Sequence, residues 1–219
     1  ATNYECYKGL YSSLNDRNYF EIAYALNRQF GQEGLYRGLA LYNFADNHDV
    51  DRVASRLGNP AHLYPLYCLL FTMPGVPSLY YGSEWGLTGR RTASGDRALR
   101  PALDRPAAAA AGATHPGLAP YIARLAQLRA RLPALRQGGY RQLCVGPEQL
   151  AFARSGEGQT AIVVLNAGPG AAEVEMPAPT GSEPLVDHLD GGSENGITRS
   201  AATLRVRVPP CAGRVIAPR

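Results

Sequence analysis

Seven consecutive residues, Asp46-Asn47-His48-Asp49-Val50-Asp51-Arg52, bring together three carboxylates, an imidazole, an amide and a guanidinium. Carboxylates beside an imidazole can grip hydroxyl groups, oppose a developing positive charge or move a proton. The same residue types are favoured in turns and at helix N-termini, so an architectural reading competes with the chemical one. The apolar run that leads into them, residues 39–44, reads as a short buried strand that ends where the polar groups begin. A second stretch, Val76-Pro-Ser-Leu-Tyr-Tyr81, has the same β character, and Gly82 punctuates it just ahead of Glu84 and Trp85.

Other segments must hold these strands in place. Residues 2–7 alternate weakly and read as the end of a strand, with a turn at 12–16. A helix is expected over 18–30, with Phe20, Tyr24 and Asn27 on one face, Ile22, Ala23, Leu26 and Phe30 on its neighbour, and Gly31 as the stop. Another is expected over about 61–73, where Leu63, Leu66, Tyr67, Leu70 and Phe71 recur at helical spacing before Pro74-Gly75. Residues 86–120 read as a long irregular connection with a low-complexity centre at 107–113. Ile122, Leu125, Leu128 and Leu132 then form a helical stripe, which leaves Arg124, Arg129 and Arg131 for the surface. From Tyr140 onward, short β-type runs at 151–154, 160–165, 172–176, 184–187 and 203–208 are split by Gly, Pro and Asn. That spacing predicts a small antiparallel β-sandwich, closed by an edge strand at 209–216.

A chain of 219 residues, 45% hydrophobic and 18% charged, has the composition of an ordinary globular protein. Its longest apolar stretch, residues 63–73, falls short of the ~20 residues a spanning helix needs, so no membrane partner is expected. No signal segment is visible and the chain opens with Ala1 rather than Met. It reads as a soluble processed product or fragment, and the compartment stays open. Cys6, Cys68, Cys144 and Cys211 form no close pair, and the histidines at 48, 62, 115 and 188 lack metal-ligand spacing, so neither metal nor cofactor is expected. Net charge is +4, and Lys8 is the only lysine. Arg90, Arg91, Arg97, Arg100 and Arg105 have no stacking aromatics among them and read as a solvated basic face, not a nucleic-acid surface.

Phe44-Ala-Asp-Asn-His-Asp-Val-Asp-Arg52 resembles the Phe-x-x-Asn-His-Asp segment of the α-amylase family, glycoside hydrolase family 13. Gly75-Val-Pro-Ser-Leu-Tyr-Tyr-Gly-Ser-Glu84 resembles the same family's Gly-x-Pro-x-x-Tyr-Tyr-Gly-x-Glu segment, in the family's order and a helix-length apart. The resemblance implies a (β/α)₈ barrel in which these segments follow strands 7 and 8, on the side where such barrels keep their active sites. Residues 1–138 are then strands 6–8 and helices 6–8 of the catalytic barrel, and residues 139–219 the C-terminal β-sandwich. The class is α/β followed by all-β. It also implies retaining hydrolysis of α-1,4-glucan links in starch or maltodextrin, by two carboxyl groups about 5–5.5 Å apart. A third acid holds sugar hydroxyls as the ring flattens. Asp49 matches that catalytic acid and His48 the hydroxyl donor beside it. Asn47 and Arg52 are expected to position the turn, while Tyr81, Glu84 and Trp85 lie on the substrate side, where the indole can stack on a sugar or pack in the core. Tyr4 and Tyr7 are expected to be structural, and Asp46 and Asp51 to be turn or cap residues.

The chain also departs from the pattern. In the family the nucleophile and the acid/base follow strands 4 and 5, ahead of this chain's first residue, and no Gly-x-Arg-x-Asp segment occurs here. The family's calcium-binding insert belongs to the same portion. The implied partners are an α-glucan oligosaccharide or polysaccharide and the missing N-terminal barrel half, in cis or in trans, and the chain alone is expected to be inactive. Asp96-Arg-Ala-Leu-Arg-Pro101 resembles the loop that the family carries after strand 8. A cyclomaltodextrinase or transglycosylase relative is the near alternative. A non-catalytic module that binds glucan or protein through its β domain is the distant one.

Overall fold

The computed structural model describes residues 1–93 and 95–219, without the side chains of Arg105, Ala108, Ala109 and Ala111. Its first helix, α1 (Tyr4–Asn15), starts at Asn3, whose side chain accepts from the Cys6 N–H. The strand expected over 2–7 shrinks to a single parallel bridge from Thr2 to Tyr42, and the expected turn at 12–16 is the last turn of the helix. Cys6, Leu10 and Leu14 recur every fourth residue and are buried together, which outweighs the weak alternation. Helix α2 (Tyr19–Phe30) forms where expected, with Ile22, Ala23, Leu26 and Phe30 inside and Phe20 and Tyr24 outside. Gly31 ends it through close approach, because a Cβ there would meet the Asn27 carbonyl at 2.5 Å.

Strand β1 (Tyr42–Phe44), the short helix α3 (Val53–Arg56), helix α4 (Leu63–Thr72) and strand β2 (Val76–Ser78) follow. β1 and β2 pair in parallel, Tyr42 opposite Val76 and Phe44 opposite Ser78, and Thr2 lies along the other side of β1. Buried amides tie the three segments: Asn3 Nδ2 donates to Gln29 and to Asn43 Oδ1, and Asn43 Nδ2 donates to the Pro74 carbonyl at 2.7 Å. Gly75 (φ +103°) is required beside them, since a Cβ would sit 2.5 Å from Asn43 Nδ2. Among the described residues no further strand pairs with Thr2 or β2. Tyr4, Leu39, Tyr42, Val76 and Leu79 are exposed around these strands.

The long connection is less irregular than expected, because residues 105–114 form helix α5 (Arg105–Thr114). Asp104 accepts from the Ala107 N–H at 2.8 Å, proline occupies the first turn, and the alanine-rich sequence propagates the helix. Helix α6 (Leu118–Arg131) buries the expected stripe and leads to α7 (Pro133–Gln137). Arg129, expected on the surface, turns inward and donates to the carbonyls of Phe71, Met73 and Gly75.

Eight antiparallel strands complete the chain: β3 (Gly139–Val145), β4 (Gln149–Gly156), β5 (Gln159–Asn166), β6 (Ala172–Pro177), β7 (Leu185–Asp187), β8 (Ile197–Arg199), β9 (Thr203–Val208) and β10 (Ala212–Pro218). They form a five-stranded sheet, β3-β4-β5-β10-β7, and a three-stranded sheet, β6-β9-β8. One face of the larger sheet, through Phe152, Val163, Leu165 and Val215, joins the helices in one apolar core. The other, through Ala151, Ile162, Val164 and Ile216, meets Val174, Leu204 and Val206 of the smaller sheet. β10 is interior and not an edge, since it pairs with β5 on one side and β7 on the other.

Arg154 sits at the junction, 1% exposed. Its guanidinium donates to Thr72 O (2.5 Å) at the end of α4, and to Leu135 O (3.0 Å) and Gly138 O (2.6 Å) at the end of α7. Helix C-termini carry unpaired carbonyls and partial negative charge, which suits a buried cation. Burial nevertheless pulls Arg154 down to about 9 and Arg129 to about 10. Arg154→Met strips those carbonyls of donors and is expected to lower the unfolding free energy by about 3 kcal/mol, read from urea denaturation. A loss below about 1 kcal/mol would contradict this role.

Burial also sets the alkaline limit. It pushes Cys6 and Cys68 up to about 12 and raises Tyr7, Tyr19, Tyr67, Tyr121 and Tyr140. The folded state keeps protons that the unfolded chain releases near pH 9 for thiols and pH 10 for phenols, so this stability is present below pH 9 and lost above it. Burial of Arg129 and Arg154 works in the opposite direction, but fewer groups contribute. The urea midpoint is expected to stay level to pH 8 and fall between pH 9 and 11.

Candidate active site

Past Phe44 the chain turns sharply. Asn47 Oδ1 accepts the Asp49 N–H at 2.8 Å, an Asx turn that leaves the Asp49 side chain 52% exposed. His48 Nε2 lies 3.2 Å from Asp49 Oδ2. Arg100 approaches from the loop after β2, with Nη2 3.8 Å from Asp49 Oδ1 and Nε donating to the His48 carbonyl at 3.1 Å. Asp96 holds that guanidinium at 2.5 Å. Exposed ion pairs of this kind contribute only about 0–1 kcal/mol to stability, so the fold does not depend on Asp49. Its carboxylate is open to hydroxyl groups arriving from solvent.

Asp46 is the opposite case, 2% exposed and fully engaged. It accepts from the Val53 N–H at 2.9 Å and from the Ser83 hydroxyl at 2.8 Å. Burial pushes its pKa up, while those hydrogen bonds and nearby Arg52 pull the other way. Arg52 is completely buried and donates through Nη1 to Tyr81 O (2.5 Å) and Ser83 Oγ (3.2 Å). Its guanidinium lies 4.1 Å from the centroid of the Tyr80 ring and 4.9 Å from that of Tyr81. Asp46 and Arg52 therefore lock the turn after β1 to the turn after β2, with Ser83 between them.

The other expected site residues are more scattered. Tyr81 is exposed and uses its hydroxyl to hold Pro101 O at 2.9 Å. Glu84 and Trp85 occupy a 3₁₀ turn, Ser83–Trp85, between left-handed Gly82 and Gly86. Glu84 has one buried carboxylate oxygen without a hydrogen-bond partner among the described residues. Trp85 is half-buried beside α5, where a Cβ at Gly112 would lie 3.5 Å from the indole. No hydrogen bond joins either residue to Asp49. Tyr7 is buried and stacks on Phe44 at 4.9 Å, and Tyr4 meets Phe44 edge-on. The structure thus groups Asn47, His48 and Asp49, and separately joins Arg52 to Tyr81.

Ser83 was not singled out in the sequence, and Asp46 and Asp51 are more than local caps. Asp51 accepts the Arg91 N–H at 2.8 Å and lies 3.6 Å from Arg56 and 3.9 Å from Arg90. The arginines at 90, 91 and 100 are exposed, as expected of a solvated face, and each also contacts these loops. The Asp96…Arg100 spacing of four was the available signal for one of them. Arg52→Ala is expected to cost about 3 kcal/mol of unfolding free energy, because it leaves Asp46 buried without its nearby cation. Arg52→Lys should recover little of it, since a compact ammonium lacks the planar face that lies over Tyr80 and is more strongly hydrated, so it costs more to bury. Wild-type stability in Arg52→Ala, measured by urea unfolding, would contradict this.

The model of the family "Alpha amylase, catalytic domain" matches residues 18–133. A cyclomaltodextrinase of Geobacillus thermopakistaniensis (strain MAS1) is 28% identical over 174 residues, 78% of this chain and 28% of that protein. A cyclomaltodextrin glucanotransferase of Niallia circulans is 30% identical over 123 residues, 56% of this chain and 16% of that one. The solved α-amylase of Geobacillus thermoleovorans, complexed with acarbose, superposes with a TM-score of 0.77 at 20% identity, covering 100% of this chain and 47% of the other. The chain spans under a third of the length of these curated relatives and under half of the solved structure. By the extent of the family match, which takes in both the Asp49 turn and the β2 segment, this chain belongs to the alpha-amylase family.

Proposed function

We propose that this chain is the C-terminal part of a retaining glycosidase acting on α-1,4-glucans. In this reading Thr2, β1 and β2 are strands 6–8 of a (β/α)₈ barrel within residues 1–138, and residues 139–219 form a β-sandwich domain. The observation that carries it is Asp49: an open carboxylate with an imidazole 3.2 Å away, just beyond the C-terminal end of one parallel strand and beside another. A glucan lying across that end presents hydroxyls to Asp49 and His48. As the glycosidic bond breaks, the ring gains positive charge, and an ionised Asp49 opposes it more strongly than in the ground state. Asn47 sets the turn and Arg52 fixes it to β2. Tyr81, Glu84 and Trp85 line the substrate side of the neighbouring turn.

Asp49 cannot do the chemistry alone. Double displacement needs a nucleophile and a proton donor at the same linkage, and in this reading both come from barrel strands outside the chain. The free edges of Thr2 and β2 fit that partner, since unpaired N–H and C=O groups recruit further strands. A cyclomaltodextrin-cleaving or transglycosylating enzyme would use the same groups, in line with the names of the curated relatives.

Two outcomes test this. Residues 1–219 alone should release no reducing ends from soluble starch, and activity should appear when the upstream barrel half is added. In the assembled enzyme Asp49→Asn should cut kcat on the order of 10²–10³-fold with little change in Tm. Turnover by the chain alone, or a folded Asp49→Asn enzyme with normal kcat, would overturn the assignment.

A further inference from the structure

Asp46 and Arg52 anchor the two ends of the Asp49 turn, but its middle is more lightly held. β1 is three residues long, α3 four, and between those anchors the Asp49 main chain is held from within by the Asx turn to Asn47. A transition-state carboxylate needs tighter placement than that, because a displacement near 1 Å can cost about 10²-fold in rate.

We propose that residues 89–91 form a clasp that sets Asp49, with Arg91 as its positioning residue. This rests on the reading of Asp49 given above. The clasp lies along residues 49–55 without forming a sheet. Arg52 N–H donates to Gly89 O at 3.0 Å, and Gly89 N–H donates to Ser55 Oγ at 2.8 Å. Arg90 donates to the Ser55 carbonyl, and Arg91 N–H donates to Asp51 Oδ1 at 2.8 Å. Arg91 Nη2 then reaches the main-chain carbonyl of Asp49 itself at 3.0 Å. Contacts run in both directions and begin and end on the segment that carries the carboxylate.

The clasp is also pressed from behind. A Cβ on Gly89 would lie 2.2 Å from the Ala98 carbonyl, so the 3₁₀ turn Arg97–Leu99 packs directly on it. That turn leads to Arg100, which meets His48 and Asp49 from the other side. Only glycine fits at 89, and its fit joins the two approaches to the turn. Arg91 binds the main-chain carbonyl of Asp49 and takes up neither carboxylate oxygen. It therefore sets where the carboxylate stands without competing for its hydrogen bonds.

The test uses the assembled enzyme, this chain together with the barrel strands that complete it. Arg91→Ala should lower kcat about 10- to 100-fold while KM for a maltooligosaccharide changes less than about twofold and Tm holds. Arg91→Lys, which still reaches one carbonyl, should recover part of the loss. Gly89→Ala should lower kcat at least as far. A kcat within twofold of wild type in Arg91→Ala overturns the clasp, as does a loss confined to KM or no recovery by lysine. Asp49→Asn measured alongside separates the two claims. Severe loss there with normal Arg91→Ala turnover removes only the clasp, whereas normal turnover in Asp49→Asn removes the reading on which it rests.

Discussion

The buried guanidinium of Arg52 is the constraint on which the site depends. Parallel strands β1 and β2 share three residue pairs, too few to fix how the loops beyond them lie relative to one another. Arg52, fully buried, binds the Tyr81 carbonyl and Ser83 and stacks on Tyr80, and Ser83 in turn serves Asp46. An unpaired charge there would be costly, so the network forms as a unit or not at all. Because Asp46 is committed to that network, Asp49 three residues later is left open. Two carboxylates in one turn thus acquire opposite environments.

The rest of the chain keeps this platform rigid. α1, α2, α4 and α6 share one apolar core with the inner face of the larger antiparallel sheet, so the helices behind the parallel strands rest on the C-terminal strands. Arg129 and Arg154 close the seam by saturating carbonyls where α4 and α7 end. Between α7 and β3 the chain changes from helix to strand within one continuous core. Among the exposed large apolar side chains, Tyr4, Tyr42, Val76 and Leu79 lie around the parallel strands, where the proposed barrel would continue.

How much was legible in the sequence depended on how local the cause was. α2 and α6 could be read because a periodic apolar stripe is written within the segment, and the turn at Asp49 because Asn47, which closes it, is a sequence neighbour. α5 was hidden because an alanine run resembles low-complexity chain, although Asp104 and the following proline mark a helix start. The interior place of β10 is decided by β5 and β7, which no local pattern reports. Asp46 differs from Asp49 through Ser83, 37 residues away, and Arg129 is drawn inward by carbonyls more than 50 residues distant. Pairings at that range are set by tertiary packing, and the resemblance to a family implied roles for the motif residues without the distant contacts that hold them.

The most direct measurement is a crystal structure of the assembled enzyme with a slowly cleaved maltooligosaccharide bound. The account expects the Asp49 carboxylate and His48 to lie within about 3 Å of hydroxyls on the sugar at the linkage to be cleaved. Arg52 should remain buried between the turns after β1 and β2. A sugar bound across other residues, with Asp49 more than about 6 Å from any hydroxyl at that linkage, would contradict the account.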